Sequence, residues 1–234
     1  MKNLLVIADH CKESLEIDLI KYTPFETEKT EYGNSGSFKY ALKRAVQSND
    51  VVYFVEDDYI HKKIAPTLII EGIKHADYVT LYDHPDKYTN VYEFGETSKV
   101  FKTKNTHWRY TASTCMTFAA RSTTLMQDME IWEKHLNGTH PNDHMAFVEL
   151  GKKGRKLAVC IPGAACHTDL TFSGLAHNVL IDDWAIDILC EHLENTMSDE
   201  LQDIKKAVFV NNPKGWDRLK MLDALHQMRK PQQD

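Results

Sequence analysis

The stretch Val51-Val52-Tyr53-Phe54-Val55-Glu56-Asp57-Asp58-Tyr59 decides the fold prediction for this chain. Its run of β-branched and aromatic residues predicts a buried strand, and the run ends in three adjacent carboxylates. Like charges that are packed together repel one another and resist desolvation, so such a cluster does not stabilise a strand end. Because ligands bind beyond the carboxyl ends of strands in open α/β sheets, the cluster predicts a site for a hard divalent cation.

Strand geometry predicts how the three carboxylates are arranged. Side chains two residues apart on a strand face the same side, which places Glu56 and Asp58 together and turns Asp57 away. A solvated acidic turn is the alternative interpretation of these residues. The length of the apolar run before them favours the strand and its site.

The composition is that of a soluble globular protein. The chain has 234 residues, of which 42% are hydrophobic and 26% are charged, and its net charge is −6. These values fit one sizeable α/β domain or one domain with a helical appendage, and they argue against a global basic field that attracts nucleic acid or membranes. The five cysteines form no CxxC pair, and we find no signal peptide or membrane span, so we expect a cytoplasmic protein.

Strand and helix patterns alternate through most of the chain. Strands are predicted at 4–8, 15–22, 51–55, 76–82, 108–119 and 156–161, with a hairpin at 91–103 that turns at Gly95. A loop is predicted at 23–31, a turn at 33–37, and helices at 38–47, 64–75, 122–136 and 141–150. The alternation implies an α/β domain over residues 1–181 with a mixed, mostly parallel sheet flanked by helices, and a helical extension over residues 182–234 packed on it.

Four motifs in this order resemble those of a small, family 2-like glycosyltransferase of the GT-A fold that uses nucleotide sugars. They are Gly33-Asn34-Ser35-Gly36-Ser37, Phe54-Val55-Glu56-Asp57-Asp58-Tyr59, Pro141-Asn142-Asp143 with Gly151, and Cys166-His167. The resemblance covers roughly residues 4–169 and implies transfer of a sugar from a nucleoside-diphosphate sugar, with UDP as the expected nucleotide, to an acceptor hydroxyl. The chain departs from the pattern at residues 10–14, which leave no room for the helix that usually follows strand one.

The resemblance also implies roles for the site residues. Asp58 is expected to be the direct ligand of Mn²⁺ or Mg²⁺, with Glu56 nearby and His167 as the late ligand. Asp143 is expected to be the general base of an inverting transfer. Two alternatives stay open: Asp143 stabilises the dipole of its helix, and His167 hydrogen-bonds a backbone carbonyl.

Further residues are predicted to bind the two substrates. Donor contacts are predicted for Asp9, Asn34, Ser37, Asp57, Asp83 and His84, and acceptor contacts for Trp108 and Tyr110. Helix capping explains Asn34 and Ser37 equally well, and a core position is the commoner role of a tryptophan. His140 and His144 are interpreted as solvated side chains.

The acceptor predicted for this enzyme is a glycan or a hydroxymethylated DNA base. DNA requires a basic, aromatic groove, for which the sequence offers one candidate cluster: Lys99, Lys102, Lys104, His107, Trp108 and Arg109. The alternative functions are a sugar nucleotidyltransferase, a metal-dependent hydrolase built on Glu56, Asp58 and His167, and a non-catalytic carbohydrate-binding domain. A nucleotidyltransferase is expected to carry a Gly-rich basic loop after strand one, which residues 10–14 lack.

Overall fold

The computed structural model describes residues 4–11, 26–84, 87, 98–167, 184–185 and 188. The chain divides into two compact units, Met1–Leu180 and Ile181–Asp234, and the described residues lie almost entirely in the first unit. The predicted strand at 15–22, the Gly95 turn and nearly all of the predicted helical extension lie outside the described residues. None of the helices in the described part is long and apolar enough to cross a membrane.

The described residues form ten strands and four helices, which confirms the mixed α/β class. The strands are β1 (Leu5–Asp9), β2 (Glu26–Thr30), β3 (Val51–Phe54), β4 (Tyr59–His61), β5 (Tyr78–Thr80), β6 (Val100–Lys102), β7 (His107–Thr111), β8 (Phe118–Arg121), β9 (Leu157–Ile161) and β10 (Ala165–His167). The helices are α1 (Gly33–Ala45), α2 (Ala65–Gly72), α3 (Ser122–His135) and α4 (Asp143–Lys152).

A six-stranded mixed sheet with the order β3-β8-β5-β9-β7-β6 forms the centre of the fold. Strands β3, β5, β9 and β6 run in one direction, as the alternation of strands and helices predicts. Strands β7 and β8 are inserted between them in the opposite direction. For this reason β5 and β9 form the one parallel neighbouring pair in this sheet.

The single strand predicted at 108–119 is wrong, because this stretch forms β7 and β8 in separate positions of the sheet. Side-chain hydrogen bonds hold the connection between them. The Thr114 hydroxyl donates to Thr80 Oγ1 at 3.1 Å, and the Thr80 hydroxyl donates to the Thr117 carbonyl at 2.8 Å. In this connection threonine hydroxyls form the hydrogen bonds that backbone groups form in a strand. The β-branched composition of the stretch does not distinguish these two cases.

The loop predicted at 23–31 is also wrong, because it contains β2, which pairs in parallel with β1. Its sequence lacks an apolar alternation, so the pairing is decided by the neighbouring strand. Helix α1 secures β2 from the side: the Tyr40 hydroxyl donates to Glu28 at 2.6 Å, and Arg44 forms ion pairs with Glu26 and Glu28. Helix α1 itself begins at Gly33, so the predicted turn at 33–37 forms its first turns.

Helices cover both faces of the central sheet. Aromatic rings from α1, α3 and α4 pack on one face around Phe118, which stacks on Trp132 at 5.1 Å and meets Phe147 edge-on at 5.1 Å. On the other face α2 packs against Val79, Trp108 and Ala119. Neighbouring residues of one strand contribute to opposite clusters, as the alternation of side chains on a strand requires.

Candidate functional site

The acidic stretch lies where the chain leaves β3 and turns into β4. Residues 55–56 follow the strand without pairing in it, and Asp57 and Asp58 form a turn. The prediction that Glu56, Asp57 and Asp58 follow strand geometry is therefore wrong, because the chain turns here to pair β4 with β10. The turn nevertheless leaves Asp57 exposed while Glu56 and Asp58 are half-buried.

The pairing of β4 with β10 brings His167 to Asp58. Tyr59 lies opposite His167 in the antiparallel register, so the histidine is next to the preceding carboxylate. His167 Nε2 is 2.8 Å from Asp58 Oδ2, and the Tyr59 ring packs on the imidazole with 4.9 Å between ring centroids. Two of the three predicted metal ligands are thus in direct contact.

Negative charge is concentrated around Glu56. Burial and the nearby carboxylates of Asp58 and Asp143 raise the pKa of Glu56 to about 7, and His167 acts in the opposite direction. This coupling connects Asp143 with the acidic turn, although the two segments are far apart in the chain. The structure therefore brings the predicted base into the neighbourhood of the predicted metal ligands.

Asp143 is the first residue of α4. The Asn142 side chain accepts a hydrogen bond from the Met145 N–H at 3.3 Å, which confirms the predicted helix cap. Burial raises the pKa of Asp143, although the backbone N–H of His144 donates to its Oδ1 at 2.7 Å and opposes the shift. A carboxylate with a raised pKa is a better proton acceptor, which suits a general base.

A second group of polar residues lies beside Asp143. Of its members the sequence singled out only Lys87, as a residue that could line the donor sugar or bind phosphate. Ser113 Oγ is 3.0 Å from His144 Nδ1, and Lys87 Nζ donates to the same oxygen at 3.2 Å. Ser113 is 7% exposed, whereas His144 is exposed. The interpretation of His144 as only a solvated side chain is therefore incomplete, because one of its ring nitrogens contacts a buried hydroxyl.

Aromatic contacts connect this second group with His167. The Lys87 backbone N–H donates to the His84 carbonyl at 3.2 Å. The His84 ring packs on Tyr82 at 5.2 Å, and Tyr82 packs on His167 at 6.2 Å. We call the residues joined by these contacts the site ring, and include Glu56, which interacts electrostatically with Asp58 and Asp143: Asp58, His167, Tyr82, His84, Lys87, Ser113, His144, Asp143 and Glu56.

Sequence patterns give no signal for several members of the site ring. Tyr82 and Ser113 lie in stretches that were predicted only as strands, and Lys87 was predicted as a candidate phosphate or donor-sugar contact without its partner Ser113. Each of them meets its partner across a large separation in the chain, such as the 31 positions between Ser113 and His144. Local periodicity carries no information about such pairs.

Asp9, a predicted donor contact, holds the chain at the end of β1. Its Oδ1 accepts hydrogen bonds from the Thr30 hydroxyl and the Tyr32 N–H, each at 2.8 Å, and its Oδ2 is 2.9 Å from His10 Nδ1. Burial acts to raise the pKa of Asp9, but these hydrogen bonds outweigh burial and lower it. The carboxylate therefore connects β1, β2 and the start of α1.

Asn34 and Ser37 lie in the first turns of α1, at the helix end where anions bind. The Ser37 hydroxyl donates to the Asn34 carbonyl at 3.0 Å, so its hydrogen is used within the helix. Neither residue caps the helix through its side chain, since the N-cap residue is Tyr32. The capping alternative for these two residues is therefore wrong.

Asp83 forms a buried ion pair with Arg109. Arg109 Nη2 is 2.9 Å from Asp83 Oδ1, and the two side chains are 8% and 11% exposed. The pair connects β7 with the segment that follows β5. The Asp83 carboxylate thus pairs with Arg109, whereas the neighbouring His84 belongs to the site ring.

The predicted acceptor contact of Trp108 is wrong, because this side chain is fully buried in the core. Its indole N–H donates to Thr103 Oγ1 at 3.0 Å. Tyr110 is half-buried, and its ring contacts Phe101 at 5.2 Å and lies under Lys156 Nζ. The aromatic residues of this hairpin therefore pack within the protein.

The prediction of a basic, aromatic groove must also be corrected, because two of its residues, Trp108 and Arg109, are buried. Lys99, Lys102, Lys104 and His107 are exposed along β6 and β7. Strand β6 is at the edge of the sheet, where lysines prevent edge-to-edge association. This hairpin offers positive charge without an exposed tryptophan for stacking.

The donor atoms at Asp58 and His167 fit a divalent transition metal, since carboxylate oxygen and imidazole nitrogen are both ligands of Mn²⁺. Glu56 supplies a second carboxylate whose negative charge a cation would offset. Within the part of the chain that the structure describes, no three His, Cys, Asp or Glu side chains form a group that could hold an ion as they stand. An ion bound by both Asp58 and His167 would take the place of their direct contact.

No known family model matches this chain, and no curated protein is found to match it. The resemblance to GT-A glycosyltransferases therefore depends on the four motifs and their order.

Proposed function

We propose that the protein is a metal-dependent glycosyltransferase that moves a sugar from a nucleoside-diphosphate sugar to an acceptor hydroxyl. UDP is the nucleotide that we propose first. The observation that carries the proposal is the convergence of Asp58, His167 and Glu56 with Asp143 near the carboxyl end of β3. The four ordered motifs support it. The acceptor is proposed to be a glycan or a hydroxymethylated DNA base.

The ion is proposed to be held by Asp58 and His167, with Glu56 as the third ligand. When bound, Mn²⁺ or Mg²⁺ supplies positive charge that stabilises the leaving diphosphate. The β4–β10 pairing sets the separation of Asp58 and His167, and packing of Tyr59 and Tyr82 orients the imidazole.

Asp143 is proposed to accept the proton of the acceptor hydroxyl. The hydroxyl oxygen forms its bond to the anomeric carbon as the bond to the diphosphate oxygen breaks, and the proton passes to the Asp143 carboxylate. Attack from the face opposite the leaving group inverts the configuration of the sugar. The start of α4 positions the carboxylate, because the Asn142 cap and the His144 N–H fix the first helical turn.

The first test is thermal unfolding with UDP and UDP-sugars, in the presence and absence of Mn²⁺. We expect the melting temperature to rise by several degrees only when nucleotide and metal are both present. Asp58→Ala should abolish the metal-dependent part of the rise, whereas Asp50→Ala, which removes an exposed carboxylate just before β3, should retain it. If no nucleoside diphosphate or its sugar stabilises the protein in a metal-dependent way, the proposal fails.

The second test concerns the base. Asp143→Asn should leave donor binding intact and lower transfer by at least 100-fold, since an amide cannot accept the proton. Transfer is measured as release of nucleoside diphosphate in the presence of oligosaccharides or hydroxymethylated DNA. Glu149→Gln, a change of the same kind on the same helix, should retain transfer. Normal transfer by Asp143→Asn rejects the base assignment, and metal-dependent phosphoester cleavage without a sugar nucleotide favours the hydrolase.

A further inference from the structure

Ser113 lies in the connection between β7 and β8 and is more than nine-tenths buried. Its hydroxyl oxygen contacts two side chains from other parts of the chain, Lys87 Nζ at 3.2 Å and His144 Nδ1 at 3.0 Å. The Thr111 hydroxyl donates to the Ser113 carbonyl at 3.2 Å and holds the backbone of the same residue. Ser113 is therefore fixed at both its backbone and its side chain.

The chemistry of these partners determines where the hydrogen atoms lie. A lysine ammonium only donates, so Ser113 Oγ accepts the hydrogen bond from Lys87. The Ser113 hydroxyl hydrogen then needs an acceptor, and among the described side chains His144 Nδ1 lies within reach at 3.0 Å. A nitrogen that accepts carries no hydrogen, so the neutral His144 ring carries its hydrogen on Nε2.

His144 is exposed and follows Asp143 on α4, so its Nε2–H is directed away from the buried Ser113. Lys87 bears an ammonium group and His144 an N–H donor, and His144 lies next to the Asp143 carboxylate. A diphosphate needs such donors for the oxygens that a metal ion does not contact.

We propose that Ser113 is a positioning residue that holds His144 in the Nε2–H tautomer, and that His144 donates this hydrogen to a phosphate oxygen of the donor substrate. The inference rests on the proposed function, because it takes the nucleoside diphosphate as the ligand. Lys87 has a supporting role, since its hydrogen bond to Ser113 directs the hydroxyl hydrogen toward His144. His144, which follows the proposed base Asp143, thus helps to orient the nucleotide-sugar substrate.

The tautomer is tested by NMR of the protein labelled with ¹⁵N in its histidine rings. The wild-type protein should show His144 as a single Nε2–H tautomer. Ser113→Ala should produce a mixture of tautomers, and Ser113→Thr, which keeps a hydroxyl, should restore the single form. His135, which contacts Glu149 at 2.8 Å, is the internal control and should not change. A wild-type Nδ1–H ring, or an unaltered tautomer in Ser113→Ala, overturns the positioning role.

The phosphate contact is tested by calorimetric titration with inorganic pyrophosphate, UDP and uridine, each with Mn²⁺. His144→Leu should weaken pyrophosphate and UDP binding about tenfold, which is the effect of a lost hydrogen bond to a charged group. His144→Gln, whose amide can donate, should recover part of the affinity. His140→Leu alters a nearby exposed histidine and should bind as the wild type does.

The outcomes separate this inference from the proposed function. If pyrophosphate binding depends on His144 but the protein transfers no sugar, the proposed phosphate contact is supported and the proposed transferase activity is rejected. If the protein transfers sugar and His144→Leu binds UDP as tightly as the wild type, the phosphate contact is rejected and the transferase activity is supported. An equal loss of uridine affinity assigns His144 to the nucleoside, and absence of pyrophosphate binding by the wild type rejects the phosphate role.

Discussion

Trp108 occupies the core because Gly72 leaves room for its indole ring. A Cβ atom added at residue 72 would lie 2.6 Å from Trp108 Cη2 and 2.9 Å from Cζ2, which is closer than carbon atoms approach in proteins. Trp108 is fully buried, and its N–H is satisfied by Thr103. The ring therefore cannot move aside without losing a hydrogen bond and its packing.

Gly72→Ala should lower the free energy of unfolding by about 2 kcal/mol, because the methyl group overpacks the core. Gly151 is the matched control, since it also lies near a helix end and an added Cβ would contact nothing within 4 Å. Gly151→Ala should raise stability by about 0.5 kcal/mol through the lower entropy of the unfolded chain. Urea unfolding followed by circular dichroism measures both, and equal effects of the two substitutions contradict this packing.

Single residues show which site chemistry can be predicted locally. The acidic cluster that contains Asp58 was predicted from carboxylates at a strand end, which is a local signature, whereas the role of Asp143 came from a resemblance to a family motif. His167 was chosen through its resemblance to a family motif. Trp108 was predicted to contact the acceptor because a tryptophan ring can stack on a sugar or a base. Whether such a ring is exposed depends on the elements that pack against it, which the residue type does not show.

Asp128 on α3 connects three elements through a fully buried carboxylate. It accepts hydrogen bonds from the Tyr78 hydroxyl at 2.8 Å, from Lys153 Nζ at 2.6 Å and from Arg155 Nε at 2.8 Å. Burial by itself raises the pKa of Asp128, but the hydrogen bonds from Arg155, Lys153 and Tyr78 outweigh burial and lower it. The carboxylate therefore binds β5 and the chain after α4 to α3.

Asp128→Asn should lower the free energy of unfolding by about 3 kcal/mol at neutral pH, because two cations lose a buried partner. The pKa of Asp128 is lower in the folded than in the unfolded chain, so its contribution is complete above the unfolded value of about 3.9 and is lost as the pH falls through the folded value. The difference between variant and wild type should therefore shrink in acid. Glu130→Gln on the exposed face of α3 is the control, and a difference that is constant with pH contradicts the assignment.

At the level of elements, longer patterns were predicted more accurately than short ones. The predicted helices at 122–136 and 141–150 correspond to α3 and α4 within two residues. Strands β4 and β10 have three residues each and were missed as a pair, because three residues are too few to show a periodic pattern. Their pairing matters most for the site, since it joins Asp58 to His167.

At the scale of the whole described part, the first unit combines a buried central sheet with a small β4–β10 ribbon that carries the proposed metal ligand His167. Val79, Ala119 and Ala158 in the central strands are fully buried. The ribbon is two-stranded and short, and isolated structures of this kind are marginally stable. Packing of Tyr59 on Tyr82 and His167 contributes to holding it in place.

Amide hydrogen exchange should therefore be slower in β5, β8 and β9 than in β4 and β10, because the ribbon opens locally without global unfolding. Addition of Mn²⁺ and UDP should slow exchange in the ribbon, since ligands that bridge Asp58 and His167 favour the closed pairing. The same addition to Asp58→Ala should leave the exchange unchanged. Ribbon amides as slow as those of the central sheet, without ligand, would show that the ribbon belongs to the core.

Local sequence was sufficient to determine the α/β class, the main helices and the presence of carboxylates at a strand end, because each follows from periodicity or from residue types within one segment. The tertiary structure alone decided which side chains meet: His167 with Asp58, Ser113 with His144, and Asp83 with Arg109. Hydrogen bonds and ion pairs depend on distances of about 3 Å between atoms. Strand order and register fix those distances, and neither is encoded in the spacing of residues along one element.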